Sequence, residues 1–262
     1  MIYSEIQLIA AGEVAEIVLA RPAARNAMTD VMGAEIQHAV GELNARPDVR
    51  VVLVRGQGEA FSAGGDFAML AERAEHREPE NRAAMRAFYA GFLSVRALRV
   101  PTIAVIGGPA IGAGLCFALA CDLRLCAARA RLAASFVRLG LHPGMGATFL
   151  LPRLCGPAVA ADLLLTGRSV DADEALRLGL VNQVHPREEL DAAARTLAAL
   201  IASAGPVAVA QTKQTLLGAF ERDLDDALER EANAQAVDFE TVDLQEALQA
   251  IAERRPPRFR GE

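Results

Sequence analysis

Residues 101–122, PTIAVIGGPAIGAGLCFALACD, decide the reading of the fold. With Val100 ahead of it, the opening run is apolar and β-branched and halts at a glycine pair, which predicts a strand over about 100–108. GPAIGAG then predicts a tight turn, and GLCFALA an apolar helix. Glycines let a backbone approach a neighbour or ligand closely and adopt φ > 0. A helix N-terminus leaves N–H groups without partners and carries the positive end of the helix dipole. Apart from Cys116, no side chain between the first glycine and Cys121 can exchange a proton near neutrality, so the chemistry of this turn has to come from its amides.

A second segment has the same layout. VRVVLVRG (49–56) is a near-continuous apolar run ending at glycine, the pattern of a strand buried on both faces, and FSAGGDF (61–67) follows it as a turn. Two such turns on neighbouring strands aim two N–H donors at one point, which is the construction of an oxyanion hole. Close helix–strand packing through small residues explains either turn alone equally well. Neither matches a nucleotide fingerprint: Phe117 stands where Gly112-Ala113-Gly114 would need its third glycine, and no Gly-Lys-Ser/Thr follows. The G-x-S-x-G nucleophile elbow of an α/β hydrolase is absent too.

Around these turns the chain reads as a hairpin over 4–21, a loop RPAARNAM (21–28), and a helix capped by Thr29 or Asp30 and running to about Ala45. A charged, helix-prone stretch covers Ala68 to Leu98. DLRLCAA (122–128) and RLAAS (131–135) are short strands, and GLHPGMGATFLLPRLCG (140–156) is a loop, a helix and a stop. In SVDADEALRLGLV (169–181), Asp171 is the N-cap, Glu174 its capping-box partner and Gly179 the stop. Helices follow from about Arg187, Pro206 opens a new one, and RRPPRFRGE is a polar tail. Strands alternate with helices for about 190 residues before a helical segment of about 65, an α/β fold with a helical C-terminal extension.

Composition narrows the function classes. The net charge of −6 and the lack of a Lys/Arg run speak against a nucleic-acid face. No stretch approaches about 18 continuous apolar residues, and no basic segment precedes an apolar run at the N-terminus. The expectation is a soluble, cytoplasmic protein with no membrane partner. Cys116, Cys121 and Cys126 are five residues apart, so on a helix each is turned about 140° from the last. With no CxxC they make no metal site and read, with Cys155, as thiols in a reducing compartment. Lys213 is the single lysine.

Taken in order, RPAARNAM, FSAGGDF, PTIAVIGGPAIGAGLCFALACD, FVRLGLHPGMGATFLLPRLCG, LTGRSVDADEALRLGLVNQV, PVAVAQTKQTL and RRPPRFRG resemble the crotonase family, which includes enoyl-CoA hydratases and isomerases. The resemblance covers nearly the whole chain. It implies a crotonase-like spiral of repeated ββα units over 1–200 and a C-terminal helical region, 201–262, that assembles a homotrimer or a dimer of trimers. The implied ligand is an acyl-CoA, with no cofactor beyond the coenzyme A moiety of the substrate. Its thioester oxygen sits between two backbone N–H groups, which by motif position are those of Gly65 and Ala113. Ala24 and Arg25 lie along the CoA, and Ala63, Asp66, Phe67 and Ala68 line its pantetheine and adenine side; Asp66 also reads as a helix cap. Lys213 is either a CoA-phosphate contact across a subunit boundary or an ordinary exposed lysine.

The sequence departs from the family where hydratases keep two glutamates. The first position, three residues after the oxyanion-hole residue, is Cys116, and the second, four before the glycine of the LG pair, is Phe136. The position where some isomerases place a carboxylate, just after the loop proline, is Gly144. One positioned acid–base group contributes about 10²–10⁴-fold, whereas the hole alone is worth roughly 10²–10³. Double-bond isomerisation, needing one movable base and the hole, is therefore preferred over hydration, and a non-catalytic acyl-CoA-binding homologue is the alternative. His142 in the facing loop and Cys116 are the catalytic candidates, against a surface histidine and an inert buried thiol. Glu72, Glu75 and His76 read as a solvated face in a stretch that in the family often covers the acyl pocket. Phe117 and Phe136 are bulky enough to fill that pocket. Acidic residues between 221 and 246 are candidates for groups supplied by a neighbouring subunit.

Overall fold

The computed structural model describes residues 1–221 and 223–262. Its first elements are the hairpin β1 (Ile6–Ala11) and β2 (Val14–Leu19), then α1 (Asp30–Asn44) and β3 (Val51–Gly56). Thr29 is the cap of α1, its hydroxyl accepting from the Met32 N–H. The charged stretch is two helices rather than one, α2 (Phe67–Ala74) and α3 (Glu78–Leu93). Pro79 near the start of α3 fits the first turn, where its missing N–H costs nothing.

The spiral then becomes visible. β4 (Thr102–Ile106), β5 (Ala110–Ile111) and α4 (Ala113–Leu119) form one unit. β6 (Leu123–Ala127), β7 (Arg131–Ala133) and α5 (Ala147–Thr166) form the next. β8 (Ser169–Asp171), α6 (Ala172–Arg177) and β9 (Gln183–His185) complete the turns. Among the described residues, one sheet has six strands in the order β1-β2-β3-β4-β6-β9, parallel except for the β1–β2 hairpin. A smaller sheet has the order β5-β7-β8. Each unit thus gives one strand to each sheet and a helix behind, the architecture expected of a crotonase-like spiral.

The continuous apolar runs follow from burial on both sides. Val52, Val54, Ala104, Ile106 and Cys126 face the main core. Their alternates Val51, Leu53, Ile103, Val105 and Leu125 face Leu190, Ala194, Ala198 and Ala202 of α7 (Arg187–Ala202). Period-2 alternation is therefore present but invisible to polarity, since both faces of these strands are dry.

α8 (Pro206–Leu217), α9 (Leu224–Glu240) and α10 (Val242–Glu253) close the chain. The tail is not free: the Glu246 carboxylate pairs with Arg255 at 2.6 Å, the Asp243 carboxylate accepts from the N–H groups of Arg260 and Gly261, and Arg50 donates to the Phe259 carbonyl. α5 also departs from expectation. Gly156, at φ 79° and ψ 160°, interrupts it where the stop was expected, but helix resumes at Pro157 and runs to Thr166. The break divides an otherwise long apolar helix into pieces well short of the ~20 residues that cross a bilayer. In α6, Asp171 caps the Glu174 N–H at 2.8 Å as expected, while the Glu174 carboxylate turns to Arg168 at 2.8 Å.

Lys213 corrects an expectation. Its side chain is only 4% exposed. Its ammonium pairs with Asp122 at 2.9 Å and donates to the Val100 carbonyl at 2.8 Å. Asp122 in turn accepts from the backbone N–H and the hydroxyl of Thr102. A lysine so committed does not reach a phosphate; it ties α8 to the start of β4 and the end of α4. Asp122→Ala leaves that ammonium buried with one carbonyl and is expected to cost about 3 kcal/mol. Lys213→Met leaves a carboxylate that keeps Thr102 and some solvent, so its loss is smaller. Urea unfolding midpoints of the two variants check the order, and the reverse order refutes this account of the pair.

Candidate active site

The turn Phe61–Asp66 is held along both edges. On one side the Met28 N–H donates to the Gly64 carbonyl at 2.7 Å and the Asp66 N–H to the Met28 carbonyl at 3.0 Å. Because Met28 uses the groups flanking Gly65 in a parallel bridge, the N–H of Gly65 itself points away from Met28. On the other side the Ser62 N–H donates to the Pro109 carbonyl at 3.1 Å and the Ile111 N–H to the Ser62 carbonyl at 3.0 Å. The second glycine turn is thereby laid against the first. At Gly64 (φ +92°) a Cβ would sit 2.7 Å from the Ile111 carbonyl oxygen and 3.6 Å from the Ala113 nitrogen. Neither the Gly65 N–H nor the Ala113 N–H has an acceptor among the described residues.

The loop 21–28 supports this arrangement through side chains that the sequence did not single out. Asn26 is fully buried; its amide donates to the carbonyls of Gln57 and Ala60, and its oxygen accepts from the Arg21 N–H. The Ser62 hydroxyl donates to the Asn26 carbonyl and accepts from the Gly64 N–H. Arg21 bonds the Ala27 carbonyl and Asp66. Asp66 caps α2, accepting from the N–H groups of Ala68 and Met69. The Arg21 bond, with those two amides, holds its carboxyl below the usual carboxylate range. Asp66 is therefore a fixed anion in the scaffold rather than a base. The Ala63 N–H donates to the Arg25 carbonyl at 2.9 Å, so 24–26 and 62–64 form one rim. Arg25, Ala63, Ala68 and Phe67 (74% exposed) are open to solvent there, and Ala24 is half-buried.

This geometry coincides with a family match. The sequence profile described as enoyl-CoA hydratase/isomerase covers residues 10–262. The chain belongs to that family. It is 36% identical to a crotonyl-CoA hydratase of Syntrophomonas wolfei over 99% of both chains. A short-chain-enoyl-CoA hydratase of Clostridium acetobutylicum is also 36% identical, over 93% of both chains. The crystal structure of an enoyl-CoA hydratase from Bacillus anthracis superposes with a TM-score of 0.93 at 36% identity, covering 99% of this chain and all of that one.

Within this member of the enoyl-CoA hydratase/isomerase family, the three expected carboxylate positions have distinct surroundings. Cys116 is fully buried as the fourth residue of α4, and burial pushes its thiol up to about 12. At neutral pH it holds its proton, which removes it as a base. Phe136 is half-buried in the 3₁₀ turn Ser135–Leu139, and Gly144 is half-buried in the loop before α5. His142 is exposed, with Nδ1 at 2.9 Å from the Pro143 carbonyl. Glu72, Glu75 and His76 are exposed along α2 and just beyond it. Phe117 does not fill a pocket: it is a core residue tilted against Phe61 and edge-on to Phe92. Of the acidic residues between 221 and 246, the side chain of Glu221 lies outside the described residues.

Burial also pushes the thiols of Cys121 and Cys126 up to about 12. In the unfolded chain a thiol titrates near 8.5. Above that pH the unfolded state releases protons that the folded state keeps, so stability falls as pH rises from about 9 towards 12 and is fully present below. Denaturation midpoints measured from pH 8 to 11 are expected to show this decline, with a shallower slope in Cys116→Ala. Alkylation at pH 8 should spare Cys116 in the native protein and label it in urea.

Proposed function

We propose that the chain is an acyl-CoA thioester enzyme that polarises the thioester carbonyl between the N–H groups of Gly65 and Ala113 and carries out proton transfer of the isomerase type in preference to hydration. The observation that carries this reading is the pairing of the two glycine turns through Ser62, with the Gly65 and Ala113 amides both without acceptors among the described residues. Donors fixed by backbone pairing need no reorganisation as charge develops on an oxygen, which is why such a hole stabilises an enolate. The rim of Ala24, Arg25, Ala63, Phe67 and Ala68 is the surface for the coenzyme A portion, with Arg25 the cation nearest to phosphate chemistry. No cofactor besides the substrate's coenzyme A enters the scheme.

Preference for isomerisation rests on the missing carboxylates. Hydration has to activate a water and deliver a proton, two tasks for which Cys116, Phe136 and Gly144 supply no charged group. The names of the relatives point to short enoyl thioesters as first substrates. Leu216, Phe220, Phe239, Leu248 and Ile251 expose large apolar side chains on and between the C-terminal helices, and we assign residues 201–262 to a homotrimeric contact, or to a dimer of trimers. The free cysteines suit a reducing compartment, the cytoplasm.

Turnover of two C4 thioesters tests the reading. Crotonyl-CoA hydration is expected to run roughly 10² or more below that of the Clostridium acetobutylicum relative, and 3-butenoyl-CoA to be isomerised faster than crotonyl-CoA is hydrated. Hydration at the relative's rate overturns the isomerase preference. Tight binding of both esters with no turnover of either identifies a non-catalytic binder, and no binding discards the acyl-CoA reading.

A further inference from the structure

With Cys116 protonated and His142 exposed, the question is which group at this site can move a proton. The described residues hold one other candidate, and it comes from outside the glycine turns. Tyr89 lies on α3, half-buried, with its ring edge-on to Phe88. Its hydroxyl oxygen is 2.5 Å from the place a Cβ would occupy on Gly144, and its ring carbon Cζ is 3.1 Å from that place. Its ionisation also responds to Cys116. The hydroxyl therefore occupies the space of any side chain at 144, one of the three positions where the family's carboxylates are expected. Cys116 is one helical turn from Ala113, about 4.5 Å along the axis. The hydroxyl has no hydrogen-bond partner among the described residues. The hydroxyl is not sealed from solvent, so its proton can be exchanged with water and its O–H is free for a ligand.

We propose that the Tyr89 hydroxyl is the proton-transferring group of this site, exchanging its proton with the α-carbon of the bound acyl thioester. The inference rests on the acyl-CoA reading above. In the protonation direction the Tyr89 O–H bond breaks and the electron pair of the enolate forms the new Cα–H bond. The thioester carbonyl is restored, and the phenolate left behind takes a proton from water. The reverse step needs the phenolate, so it is slow at neutral pH and speeds up as pH rises; it takes an α-proton onto the phenolate and leaves the enolate on the Gly65 and Ala113 amides. Burial, and secondarily Cys116, raise the hydroxyl above the ordinary tyrosine value, so at neutral pH it stands ready as the acid. Gly144 is the complement of this role, since any Cβ there would displace the hydroxyl.

The test is deuterium incorporation at the α-carbon of butyryl-CoA in D₂O, followed by NMR, with ester affinity measured in parallel by calorimetry. The wild-type protein is expected to exchange, faster at pH 9 than at pH 7, and Tyr89→Phe to exchange at least about 100-fold more slowly at pH 9 with affinity changed less than about twofold. Gly144→Ala, which forces the hydroxyl aside, should slow exchange as well, and the double variant should be no slower than Tyr89→Phe alone. Exchange by Tyr89→Phe at the wild-type rate overturns the proposal, as does a wild-type protein that binds the ester and never exchanges; both leave the acyl-CoA reading standing. Failure of the wild-type protein to bind butyryl-CoA removes that reading and the proposal together.

Discussion

Main-chain pairing along both edges of residues 61–66 is the constraint on which the site depends. Met28 takes the groups on either side of Gly65, and Pro109 and Ile111 take the N–H and carbonyl of Ser62 itself. A six-residue turn is thus fixed as rigidly as a strand, without being one. The Gly65 amide is left over because parallel pairing leaves alternate N–H groups pointing the other way, and the Ala113 amide because it is the first N–H of α4. Two buried polar side chains, Asn26 and Ser62, satisfy the carbonyls and amides that this unusual packing would otherwise leave unmet.

The cost of that rigidity is small residues. At Gly114 an added Cβ would lie 2.6 Å from the Cβ of Ser62. Close packing through small residues, one of the two explanations that the sequence offered for the glycine turns, is therefore present: the turns approach because they lack side chains. The helix that follows carries Ala113 at its start and the buried Cys116 and Phe117 in its body, so the element presenting one amide is anchored wholly in the core.

Much of the fold was legible because its signals are local. The runs at 49–56 and 100–108 end in glycine, Thr29 and Asp171 cap where a cap was expected, and Pro206 opens a helix. Gly156 was correctly seen as an interruption, but a φ of +79° only bends the path, and nothing local says that helix resumes beyond it. The site was legible only where the backbone makes it. Lys213 was misjudged because burial depends on Asp122 and Val100, roughly a hundred residues away in sequence, and a lone lysine carries no sign of such partners. Asn26 and Arg21 sat inside a quoted loop and drew no notice, since their roles lie in long-range bonds to Gln57, Ala60 and Asp66. Tyr89 was hidden in a charged stretch whose amphipathic face becomes visible only once α3 is placed against the loop containing Gly144.

The Lys213–Asp122 pair gives the C-terminal helices a mechanical link to the interior. Asp122 stands just past the end of α4, and its other partner, Thr102, begins the strand that leads into the second turn. A rotation or withdrawal of α8 would pull on both ends of the segment that carries Ala113. The placement of the terminal helices and the path of the residues that lead into and out of the second glycine turn are thereby two consequences of one buried charge.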